Sequence, residues 1–137
     1  MLTLEENLTT LATSRGLELF RQGDGWSISL PARSAYFCEL NIGPGVLDWY
    51  ATLRREGEGH DVWTDWVDYT GYDRRAEATM LEDKCCDILW FTEEWLTASG
   101  IRVTEKQTIL GLFRPTSVEW EHEGRWEEVS MCDPNRE

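Results

Sequence analysis

The sequence is short of positive charge. Lys and Arg number 13 against 26 Asp and Glu, so the formal net charge is −13 and the pI is near 4.5. That balance argues against nucleic acid as a direct partner, because phosphate contacts need clustered Lys and Arg. Anionic membrane surfaces are disfavoured for the same reason. No apolar run approaches the roughly 18 residues of a membrane span. The opening MLTLEENLTT has neither the basic region nor the apolar core of a secretory signal. The expectation is a cytoplasmic chain that begins at Met1.

Histidine and cysteine are also scarce. His60 and His122 are the two histidines, and the cysteines are Cys38, Cys85, Cys86 and Cys132. There is no C-x-x-C pair and no H-E-x-x-H, which removes the common zinc and thioredoxin-like patterns. Cys85 and Cys86 are adjacent within an expected helix and point about 100° apart, too far to bond each other readily. Asp61, Asp65, Asp68 and Asp73 form an acid-rich stretch, but their spacing does not match a calcium loop. Gly43-Pro44-Gly45 lacks the third glycine and following helix of a dinucleotide loop, and no G-x-S-x-G elbow occurs. The reading is therefore a non-enzyme, with no catalytic residues, no metal and no cofactor.

What is present is enough for one ordinary domain. The 137 residues include 41% apolar residues and eight tryptophans. A chain of that length buries roughly two thirds of its unfolded surface and needs no disulfide or metal to fold. Tryptophan in surplus fills cores, and it also supplies the anchors of binding surfaces.

Thr3 and Glu6 have capping-box spacing, Leu4, Leu8 and Leu11 make an apolar stripe, and Gly16 follows; a helix is expected over Thr3–Arg15. Strands are expected at 17–21, 26–30, 35–42, 46–53 and 61–70, separated by glycine-rich turns. Asp73 can cap a long helix running to Ser99, followed by strands at 101–103, 108–113, 118–122 and 125–129. The fold class is α+β: an antiparallel sheet of about five to eight strands, with the N-terminal helix and one long helix packed on one face. The other sheet face would then be open to a partner.

The acid excess is concentrated. Residues 56–94 hold twelve acids against three bases, a net of −9, while residues 1–55 carry −1 and residues 95–137 carry −3. Within this region aromatics recur at Trp63, Trp66, Tyr69 and Tyr72, interleaved with Asp65, Asp68 and Asp73. On the long helix, Met80, Leu81, Cys85, Ile88, Thr92, Trp95 and Leu96 share one side, and Asp83, Cys86, Asp87, Trp90 and Glu94 share another. The plain alternative is core packing for the rings and a solvated surface for the acids. The sharper expectation is a partner surface comprising Trp63, Asp65, Trp66, Asp68, Asp83, Asp87, Trp90 and Glu94, since aromatic anchors beside carboxylates suit Arg and Lys. Glu119, Glu121 and Glu123 form a further acidic row, read either as edge protection or as a second contact.

By size, acidity, tryptophan content and the missing catalytic motif, the chain resembles small acidic bacterial immunity or antitoxin proteins. The resemblance implies a protein partner with a basic surface, a toxin or effector, bound by a monomer or homodimer. Residues Leu4 to Leu53 also resemble, in element order, the class I type III secretion chaperones, which would imply a dimeric effector-binding protein. An uncharacterised enzyme is the third class.

Overall fold

The structure, a computed structural model, describes residues 2–69, 76–105 and 116–135. Helix α1 (Leu4–Ser14) starts where the sequence places it. The Thr3 hydroxyl accepts from the Glu6 N–H at 3.1 Å, and the Thr3 N–H donates to Glu6 Oε1 at 3.2 Å, a complete capping box. At its other end Gly16 takes φ 67, and Leu17 N–H donates to Ala12 O at 2.9 Å. That reversal needs a left-handed residue, which glycine adopts without steric cost.

The chain then runs through β1 (Leu19–Gln22), β2 (Gly25–Arg33), β3 (Tyr36–Ile42), β4 (Trp49–Arg55) and β5 (Asp61–Val67). These five form an antiparallel meander in sequence order. Gly25 is required by close approach, because a Cβ there would lie 2.1 Å from the Ile42 carbonyl oxygen. Helix α2 (Glu77–Thr97) follows, and then β6 (Gly100–Glu105), β7 (Thr116–His122) and β8 (Arg125–Glu128). Among the described residues the long helix begins at Glu77, and Ala76 occupies its N-cap without a side-chain bond. The expected Asp73 cap and the expected strand at 108–113 lie outside the described residues. At the far end of α2, Arg33 donates to the carbonyls of Trp95 and Leu96, which satisfies groups a helix terminus leaves open.

The α+β class, the N-terminal helix and the long helix match the sequence expectation. The strands, however, divide into two sheets, β1–β5 and β6–β8. This division changes which side of α2 is buried. Ile28, Leu40, Trp49, Ala51 and Leu53 lie on the inner face of the larger sheet and are fully buried beneath the helix. Phe91 of α2 packs edge-on to Trp49 at 5.6 Å and tilted on Trp120 of β7 at 5.4 Å. It joins both sheets in one core. Burying a side chain of that size is worth about 1.5–3 kcal/mol. Trp95, also fully buried, has its indole N–H satisfied by the Pro31 carbonyl at 2.7 Å.

Candidate functional site

Alternation along the five-stranded sheet sends every second side chain away from α2. The ladder register places Ser27, Asn41, Tyr50 and Trp66 in one row on that open face. The next row is Ser29, Glu39, Thr52 and Thr64, and beyond it Phe37, Arg54 and Asp61 fall together. Phe20 of β1 sits opposite Ser27 on the same face. Phe20, Phe37, Tyr50 and Trp66 are between 40% and 60% exposed, and they are four of the seven large apolar side chains exposed among the described residues. Neither helix covers this face. A shallow groove of about 540 Å³ runs across it, lined by Phe37, Glu39, Asn41, Tyr50, Thr52 and Arg54, among others.

The electrostatics of the face are simple. The Arg54 guanidinium pairs with Asp61 at 3.1 Å, both side chains being exposed. Glu39 has no ion pair among the described residues. Cys38, its neighbour, points inward and is buried; burial first, and then the Glu39 charge, push its thiol well above the usual range. A protonated, inaccessible thiol is a poor nucleophile.

The residues expected from sequence to meet a partner are not brought together. Trp66 stands on the open face. Asp65 and Asp68 are exposed at the β5 end of the sheet, with Asp65 Oδ1 accepting from the Trp66 N–H at 2.9 Å. Trp63 lies opposite Leu53 on the inner side and packs against the core. The helix residues lie on a flank of α2 that is buried or partly buried. Asp87 is 0% exposed, accepts from the Tyr69 hydroxyl at 2.6 Å, and also accepts from the Asp133 N–H at 3.0 Å. Asp83 is 8% exposed. Trp90 is partly buried edge-on to Trp120 at 5.6 Å, and Glu94 pairs with His122 at 3.0 Å. Trp90 and Glu94 thus join α2 to β7, and Asp87 joins it to Tyr69 and to the C-terminal segment. The physical reason is the second sheet, which covers a flank of the helix that a single-sheet fold would leave wet.

In the acidic row, Glu119 and Glu121 of β7 are partly buried, and Glu123 is exposed in the turn to β8. Because β7 is the middle strand of its sheet, it has no edge to protect. Glu119 pairs across the ladder with Arg102 at 2.9 Å, and Arg102 stacks over Trp126 at 4.3 Å. Conversely, Phe37, Glu39 and Tyr50 escaped the sequence reading. The available signal was Phe37 itself, an apolar side chain at an outward position of β3, where Cys38, Leu40 and Ile42 take the inward ones.

Among the described residues no three His, Cys, Asp or Glu side chains gather as metal ligands, and no helix is long and apolar enough to cross a membrane. A second groove, about 640 Å³, lies between α1 and α2 and is floored by Leu8, Leu11, Leu81, Cys85 and Leu89. Compared with protein-family models, curated proteins and solved structures, the chain matches none of them.

Proposed function

We propose that the chain is a protein-binding inhibitor of the immunity or antitoxin type, which neutralises a basic toxin or effector by direct contact through the open face of β1–β5. The observation that carries this reading is the gathering of Phe20, Phe37, Tyr50 and Trp66 on one uncovered face, among Ser, Thr, Asn and Glu side chains. Tyr50 and Trp66 are ladder neighbours, and Phe20 and Phe37 stand farther along the same face with Ser27, Asn41 and Glu39 between them. Exposed apolar side chains gathered among hydrogen-bonding groups mark a binding site more often than a bare surface. Aromatic rings supply most of the energy of such contacts. The net charge of −13 gives the partner its sign. Carboxylates along β5 and its flanking loop, Asp61, Asp65 and Asp68 among them, would steer a cationic surface toward the face, chiefly by raising the association rate. This is a reading of binding, not of catalysis.

The test is capture of the partner followed by kinetics. A basic protein should bind one to one, with an association rate that falls steeply as salt is added. Trp66→Ser should weaken binding roughly thirtyfold or more without unfolding the chain. A partner that binds Trp66→Ser as tightly as the parent overturns the proposal.

A second reading, a dimeric effector-binding protein of the secretion-chaperone type, draws on the groove between α1 and α2. Arg15 and Glu82 are its charged lining residues, and Arg15 is paired with Glu93. The rest of the lining is apolar or uncharged, Leu8, Leu11, Leu81 and Leu89 among it, which suits contact with a second copy. Sedimentation of the parent and of Leu89→Asp decides it: a dimer lost in the variant supports this reading, and a monomeric parent removes it.

A further inference from the structure

We infer that Glu39 and the rings beside it form a receptor for a single arginine side chain of the partner, a deepening that rests on the open-face reading above. Glu39 is on the middle strand of the five, as far from either sheet edge as a residue can be. On its own strand Phe37 and Asn41 are its same-face neighbours, about 6.5 Å away by strand geometry. Across the ladders it faces Ser29 and Thr52, and Tyr50 stands diagonally, about 7–8 Å off. The groove therefore has a carboxylate on its floor, aromatic rings at two of its corners, and an amide and hydroxyls between them.

Charge selects the occupant. The charged side chains that line the groove are Glu39, Arg54 and Asp61, a net of −1. Arg54 stands diagonal to Glu39, but its guanidinium is turned to Asp61 at 3.1 Å. The Glu39 carboxylate therefore keeps no ion pair among the described residues. An anionic ligand is repelled, and a neutral one leaves that carboxylate unused. A cation is attracted. Between the two cationic side chains, the planar guanidinium fits better than an ammonium. It can fork onto a carboxylate with two N–H donors, stack on a flat ring, and donate its remaining N–H groups to the Asn41 and Thr52 side-chain oxygens. Ring stacking and ion pairing then act on the same group. Glu39 has no structural duty that competes with this, being exposed and without an ion pair among the described residues.

The experiment is a titration of the full-length, isotope-labelled protein with a capped pentapeptide, Gly-Ser-Arg-Ser-Gly. The control is the same peptide with citrulline, which keeps the shape of arginine and removes its charge. The arginine peptide should shift the backbone amides of Phe37, Glu39 and Tyr50 in a saturable way, and the citrulline peptide should bind at least fivefold more weakly. In Glu39→Gln that preference should vanish while the amides of β2 and α2 keep their native positions. A preference for arginine that survives Glu39→Gln overturns the inference, as does an arginine peptide that shifts Asp65 and Asp68 but not Glu39. In either case the open-face reading stands or falls separately, on whether Trp66→Ser releases the partner.

Discussion

The Tyr69 hydroxyl donates to Asp87 Oδ2 at 2.6 Å, and it accepts from the Trp49 indole N–H at 2.9 Å. Through this pair the end of β5, the centre of α2 and the floor of the core are tied together. Asp87 extends the tie to the C-terminal segment through the Asp133 N–H. Burial, with the Asp87 bond adding to it, pushes the Tyr69 hydroxyl well above its ordinary range, so it remains a donor.

Breaking that tie should cost stability. Tyr69→Phe leaves a buried carboxylate and a buried indole N–H each short of a partner, a loss of about 1–3 kcal/mol. Asp87→Ala takes the acceptor from two donors, the Tyr69 hydroxyl and the Asp133 N–H, and should also cost about 1–3 kcal/mol. Urea denaturation followed by tryptophan fluorescence checks both, and unchanged midpoints would show that the network carries no stability.

Trp90→Ala should behave as a core substitution. Its ring packs edge-on to Trp120, and truncating a partly buried Trp of this kind costs about 3 kcal/mol. Tyr50→Ser and Trp66→Ser, on the open face, should shift folding stability by no more than about 0.5 kcal/mol. They should instead weaken partner binding by 2 kcal/mol or more, roughly thirtyfold. Calorimetry of folding and of binding separates the two groups.

Lys84 provides a pH signature. Its ammonium is buried and donates to the carbonyls of Gly43 at 2.6 Å and Gly45 at 2.7 Å, holding the β3–β4 loop against α2. Burial pushes its pKa down from 10.5 to about 8, against smaller upward pulls from Cys85 and Asp48. From about pH 8 to 10.5 the unfolded chain thus holds a proton that the folded chain has released, and stability rises with pH. The rise between pH 7 and 9 should be about 1 kcal/mol relative to Lys84→Met. Cys85 acts in the opposite sense above pH 9, because burial raises its thiol from 9.0 to about 11. Equal pH dependence in parent and Lys84→Met would refute the assignment.

Thiol reactivity should follow exposure. Cys86 is exposed, while Cys38 is buried beneath the larger sheet. A disulfide reagent should therefore modify Cys86 first, though slowly, since partial burial and the neighbouring Glu82, Asp87, Asp83 and Asp133 all raise its pKa. Cys38 should react only on unfolding. Mass mapping of the modified residues is the check.

The sequence by itself determined the elements whose signals are local. Thr3 and Glu6 set the start of α1 through their own side-chain bonds, and Gly16 sets its end through φ. Glu123 and Gly124 both take positive φ, at 53 and 79, and turn β7 into β8. The alternation from Trp26 to Leu53 distinguished an inner face from an outer one, because a strand has a period of two whatever it packs against. Only the tertiary structure decided how α2 is clothed. Asp83, Asp87, Trp90 and Glu94 look solvent-facing on a helix drawn alone, since their polarity is visible and their partners are not. Those partners, Tyr69, Trp120, His122 and the Asp133 N–H, come from distant stretches of chain that converge on one flank of the helix. The open face emerged in the same way: once α1, α2 and β6–β8 had taken the inner side of the larger sheet, Glu39, Tyr50 and Trp66 were left facing outward.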